Sequence, residues 1–109
     1  MKLTMTERYA IQNLLPVKED FLTLKIIRDL KERLSPSEKE LKDYGIKQIG
    51  NQLVYDNKKI DLKTAEFEIE IGEILINIIR TILKDKNKNK QLHDTEYTIY
   101  EKLVINQEG

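Results

Sequence analysis

The twelve residues from Glu73 to Lys84 do most to limit the folds open to this chain. Ile74, Leu75, Ile76, Ile78, Ile79, Ile82 and Leu83 fall among them with helical spacing. At about 100° per residue they cover an arc of roughly 200°, wider than the stripe of an ordinary surface helix. Glu73, Asn77, Arg80, Thr81 and Lys84 fill the rest. A helix this apolar must be surrounded, so it is expected at the centre of a helical core, with Ile78 and Ile79 among the most buried residues. One edge of so wide an arc is also free to meet a partner, and Ile76 and Leu83 are the candidates for that edge.

Other helices are expected around it. Thr4-x-x-Glu7 has capping-box spacing, and Pro16 stops the helix that follows, predicted at about 5–14. Phe21, Leu24, Ile27, Leu30 and Leu34 recur every three or four residues, which predicts an amphipathic helix at about 20–34. Ser35-Pro36-Ser37-Glu38 reads as an N-cap at Ser35, proline at the first helical position and a box closed by Glu38. That short helix is expected to end at Tyr44, before Gly45. Asp94 or Thr95 is expected to cap a last helix bearing Tyr97, Ile99, Tyr100, Leu103 and Val104, with a frayed tail from Asn106 to Gly109.

The β signals lie between 46 and 71. Ile46–Ile49 and Gln52–Tyr55, separated by Gly50-Asn51, predict a two-residue hairpin. Asp56-Asn57 is read as a second turn, into Lys58–Leu62. Phe67, Ile69 and Ile71 alternate with Glu66, Glu68 and Glu70 in the period of a strand. The expectation is an α+β fold: a mainly helical core of four to five helices with a small antiparallel hairpin or sheet. At 109 residues the chain is read as a single domain.

Composition narrows the function. The chain has no cysteine, so thiolate zinc sites and thiol catalysis are excluded. Nineteen basic residues balance nineteen acidic ones, without the basic surplus of a dedicated nucleic-acid binder. Lysines outnumber arginines 15 to 4, the bias of an AT-rich genome. Residues 1–8 do not read as a signal peptide, and 69–83 is too short and polar to span a bilayer. A cytoplasmic protein without a membrane partner is expected.

No motif for catalysis, metal or cofactor emerges. His93, the only histidine, has Asp94 and Glu96 nearby but no accompanying nucleophile, so it reads as a loop residue before a cap. Glu66, Glu68, Glu70 and Glu73 read as the solvated face of a strand rather than a ligand set. Gly50-Asn51 and Ile71-Gly72-Glu73 lack the pattern of a phosphate loop. Lys58, Lys59, Lys84, Lys86, Lys88 and Lys90 form a candidate basic patch if the fold brings them to one face. The order helix, helix, short helix, hairpin is reminiscent of a winged helix. Against that, the would-be recognition helix carries Glu38, Glu40 and Asp43 and has no arginine, asparagine or glutamine to read bases.

Several stretches resemble short proteins of unassigned function encoded in phages and prophages of AT-rich bacteria. They are Leu14-Leu15-Pro16, Thr23-Leu24-Lys25-Ile26-Ile27-Arg28-Asp29-Leu30, Glu68-Ile69-Glu70-Ile71-Gly72-Glu73 and Tyr100-Glu101-Lys102. The resemblance implies a phage-type origin in a bacterial host cell and favours action by binding another protein, in assembly or against host defence. The resulting expectation is a non-enzymatic protein that works through a protein interface, with a protein partner or a second copy of itself. Ile76, Leu83, Tyr97 and Tyr100 are its candidate contact residues. The alternative is a winged-helix-like nucleic-acid-binding regulator.

Overall fold

A computed structural model describes residues 1–49, 52–54 and 65–106. The expected turns at Gly50-Asn51 and Asp56-Asn57, the segment Lys58–Leu62 and the tail 107–109 lie outside the described residues. The elements run β1 (Lys2–Thr4), α1 (Met5–Leu14), α2 (Phe21–Leu34), α3 (Glu38–Asp43), β2 (Lys47–Ile49), β3 (Gln52–Val54), β4 (Glu66–Glu68) and α4 (Glu73–Lys88). A last helical segment changes pitch along its length. It starts as a 3₁₀ turn (Asp94–Glu96), continues as α5 (Tyr97–Tyr100) and ends as a π-helix (Glu101–Ile105). The fold is α+β with a mainly helical core.

The caps explain where the helices begin. Thr4 and Glu7 form the expected box: the Thr4 hydroxyl accepts from the Glu7 N–H at 3.2 Å, and the Glu7 carboxylate accepts from the Thr4 N–H at 2.8 Å. Asp20 caps α2, accepting from the Thr23 N–H at 2.8 Å. The box before α3 is not the expected one. Ser37, not Ser35, is its N-cap, and Glu40, not Glu38, reaches back to it. Ser35 is the C-cap of α2, its N–H donating to the Lys31 carbonyl at 3.1 Å, so it is not available to start the next helix. Gly45 sits at φ 62, a conformation L side chains resist, and lets the Ile46 N–H turn back to the Leu41 carbonyl.

Among the described residues the β structure forms two antiparallel pairs. β2 and β3 make the expected hairpin, with Ile49 opposite Gln52. β4 does not join them. It pairs with β1, Leu3 opposite Phe67, a strand the sequence reading did not foresee. The expected strand over 66–71 is therefore shorter, although Ile69 and Ile71 still point into the core.

The core lies where α1, α2, α4 and the last helix meet. Leu75, Ile79 and Leu83 form the buried face of α4. Ile79 and Leu83 are fully enclosed, as are Ile11, Leu30, Leu34 and Ile99. Ile78 is only half-buried, which corrects the expectation that it ranks with Ile79. α4 also runs past its expected end at Lys84 to Lys88, because Lys86 and Asn87 find partners on the last helix.

Glu7, Arg8 and Glu96 are the buried charged residues among those described. Arg8 is 1% exposed. Its Nε donates to the Leu34 carbonyl and its Nη2 to the Ser35 carbonyl, both at 2.9 Å, while Nη1 meets the Glu40 carboxylate at 2.7 Å. A helix leaves its last carbonyls without intrahelical donors. Arg8 supplies them for α2 and holds α3 through the box residue Glu40. The Phe67 ring lies 5.4 Å from the guanidinium.

Candidate functional site

The last helical segment gathers both a polar network and a groove. Its first turn is capped from behind: Glu96 Oε1 accepts from the His93 N–H at 2.8 Å, and Oε2 binds Lys86 Nζ at 2.7 Å. The cap therefore falls at His93, not at the expected Asp94 or Thr95. At the other end, the π-helical turns leave the Leu103 carbonyl to accept from Arg80 Nε at 2.7 Å. On the inner side, Lys102 Nζ binds Glu7 and Glu66, each at 2.7 Å, and the Lys2 carbonyl at 2.9 Å. This one ammonium joins the last helix to β1, α1 and β4.

The network shifts the titration of its members. Burial pushes the Glu7 carboxyl up, but Lys102, the Thr4 N–H and the Thr98 hydroxyl outweigh it and hold it below its ordinary 4.5. Glu40 is likewise raised by burial and lowered further by Arg8 and Ser37. Burial lowers the Lys102 ammonium, and Glu66 and Glu7 more than reverse that. Carboxyls depressed in the folded state stabilise it above their unfolded pKa, and that contribution is lost as pH falls through the folded value. Stability is thus expected to be flat down to about pH 5 and to drop progressively below the ordinary 4.5. Urea melts across this range should show it, with a shallower acid slope in Glu7→Gln. An unchanged slope in that variant would mean that Glu7 gains nothing from Lys102.

A groove of about 590 Å³ opens on the other side of the segment. Leu92, Tyr97, Tyr100 and Ile105 line it with Asn87, His93, Asp94 and Glu101. Tyr97, Glu101 and Ile105 follow one another at helical spacing. Tyr97 is 63% exposed and Ile105 56%. Tyr100 is half-buried, its hydroxyl accepting from Asn87 Nδ2 at 3.1 Å.

The expected contact residues divide. Tyr97 and Tyr100 stand together in this groove. Leu83 is fully buried and closed to any partner, which corrects its assignment. Ile76 is half-buried and packs on the core, away from the groove lining. The exposed edge of α4 is instead its opposite one, where Ile74 is 65% exposed and Ile78 and Ile82 are half-buried. Ile78 and Ile82 line a shallower groove of about 340 Å³ with Pro16 and Glu19. The segment after Pro16 also displays Val17, Phe21 and Leu22, each more than 70% exposed. Phe21 was expected on the buried stripe of α2. The first turn of that helix overhangs the core, so burial begins in earnest only at Ile27.

The candidate basic patch does not form one surface among the described residues. Lys84 and Lys88 are a turn apart on α4, whereas Lys86 lies about 200° around the helix from each and is bound to Glu96. Lys90 follows the helix end at φ 59. Lys58 and Lys59 lie outside the described residues. The acidic residues are also distributed: Glu66 binds Lys102, Glu68 binds the N-terminal ammonium at 2.7 Å, and Glu70 and Glu73 are exposed. Among the described residues, no group of three or more histidine, cysteine or carboxylate side chains is placed to hold a metal ion, and no helix is long and apolar enough to cross a membrane. A third hollow, of about 350 Å³, lies over Glu7, Thr98 and Lys102. Comparison with protein families, with curated proteins and with solved structures found no match.

Proposed function

We propose that this chain is a protein-binding module that engages its partner through the groove between the end of α4 and the last helical segment. The observation that carries this reading is the exposure of Tyr97 and Ile105 in a concavity with Leu92 and Tyr100. Tyrosines combine a large apolar area with a polar tip and few rotors, which suits them to anchoring a contact. The side chains beneath the groove are tied in place: Glu96 is held by Lys86, Tyr100 by Asn87 and the π-helical turns by Arg80. A π-helical segment is rare and frequently accompanies a functional site. The resemblance to phage-type proteins favours a partner from the host cell or the virion.

Capture from a bacterial lysate by the wild-type chain and by Tyr97→Ala tests the reading. Removing an exposed side chain leaves the core intact, so Tyr97→Ala is expected to keep its fold and to lose the retained protein, with affinity down about tenfold or more. Light scattering over a concentration series separates a second copy of the chain from another partner. Equal retention by both forms, or retention of nothing together with a monomer at all concentrations, would overturn the proposal. The winged-helix reading has less support. α3 is six residues long, its Glu40 is engaged with Arg8, and the groove is edged by carboxylates that repel phosphate.

A further inference from the structure

The charge of the groove identifies the chemistry of its occupant. Among the described residues, its charged lining is Asp94 and Glu101, with His93 beside Asp94, and no lysine or arginine joins them. Elsewhere on this segment the acids are matched. Glu96 is bound by Lys86, and Lys102 faces the other way onto Glu7 and Glu66. Among the described residues, Asp94 and Glu101 take no part in an ion pair. Lys88 and Lys90 are exposed near the end of α4 but do not line the groove. Two unmatched carboxylates thus stand at a surface that also presents two tyrosine rings.

Carboxylates and tyrosine faces attract the same kind of group. A carboxylate takes charge-assisted hydrogen bonds from ammonium or guanidinium, and the face of an aromatic ring attracts a cation through its quadrupole. Leu92 and Ile105 add apolar surface for the side chain's methylene stem or for a neighbouring residue. An acidic segment would meet repulsion, and a purely apolar one would cover two carboxylates without pairing them.

We infer that the groove receives a basic segment of a protein partner, with a lysine or arginine side chain seated between Tyr97, Tyr100, Asp94 and Glu101 and an apolar residue against Leu92 and Ile105. The inference rests on the proposed role of the groove as a protein-binding site and adds the character of what it binds.

A random-peptide display library selected on the folded chain tests it. Peptides that combine lysine or arginine with a large apolar residue are expected to be enriched. Tyr97→Ala should weaken them about tenfold or more, with the fold checked by circular dichroism. The double variant Asp94→Asn, Glu101→Gln keeps the shape and removes the charge. It should weaken the same peptides several-fold and flatten their salt dependence. Enriched peptides that need Tyr97 but carry no basic bias, or that ignore the double variant, would overturn the inference and leave the groove's role standing. No enrichment, or enrichment indifferent to Tyr97→Ala, would sink both.

Discussion

Arg8→Met is expected to lower the free energy of unfolding by about 3–5 kcal/mol, the largest effect of any single substitution outside the apolar core. Methionine fills much of the same space, so packing is not the main loss. What disappears are the donors to the Leu34 and Ser35 carbonyls and the counter-charge of Glu40. Leaving such groups without partners costs far more than a hydrogen bond gains. A domain of this size has only about 5–15 kcal/mol to lose. Arg8→Lys should recover little, because an ammonium cannot meet two carbonyls and a carboxylate with the geometry of a planar fork. Glu40→Gln should cost less, about 1–2 kcal/mol, since that side chain is partly open to water and its amide still accepts from Arg8. Urea denaturation gives all three values. A change of under 1 kcal/mol for Arg8→Met would show that its network is no stronger than an ordinary surface pair.

Ile79→Ala follows, with an expected loss of about 2–5 kcal/mol from transfer and cavity terms together. The informative comparison is with its neighbour. Ile79 is fully enclosed and Ile78 is half-buried at the edge facing Pro16 and Glu19. Ile78→Ala should therefore cost about 1 kcal/mol, since it forfeits only part of a side chain's burial and leaves no closed cavity. Thermal melts in which the two variants shift equally would place the buried face of α4 one residue away from Leu75, Ile79 and Leu83.

These two isoleucines mark where the sequence is informative and where it stops. The wide arc from Ile74 to Leu83 makes the central helix plain, but its phase is not, because a broad stripe fits several rotations. Packing against α1 and the last helix centres it on Ile79, which buries Leu83 and leaves Ile74 outside. The helix start at Thr4 is legible because its cap is local. Ser35 misled because Ser35-x-x-Glu38 and Ser37-x-x-Glu40 carry the same signature, and the choice depends on where α2 ends and where Arg8 holds Glu40. β1 is three residues long, too short to display a period, and its partner is over sixty residues away. The tyrosine pair was legible as amphipathic and helically spaced. Its groove was not, because Leu92, Asn87 and Ile105 reach it from different elements. Nothing in the sequence distinguishes Arg8 from an arginine in water.

The junction at Lys102 also bears on the order in which the molecule comes together during synthesis. Its ammonium reaches the Lys2 carbonyl and the Glu7 carboxylate, which lie 100 and 95 residues earlier in the chain. β1 waits for β4, and Lys102 ties the two together only after both are made. Contacts between such distant residues cost loop-closure entropy before they return any stability. While the chain leaves the ribosome, α1 and α2 can pair early through Arg8 and Leu34, yet Leu3 lacks its β4 partner until Phe67 is made, and Glu7 lacks Lys102 until later still. The apolar face that Leu3 closes with β4 therefore stays open until residues 66–68 have been made.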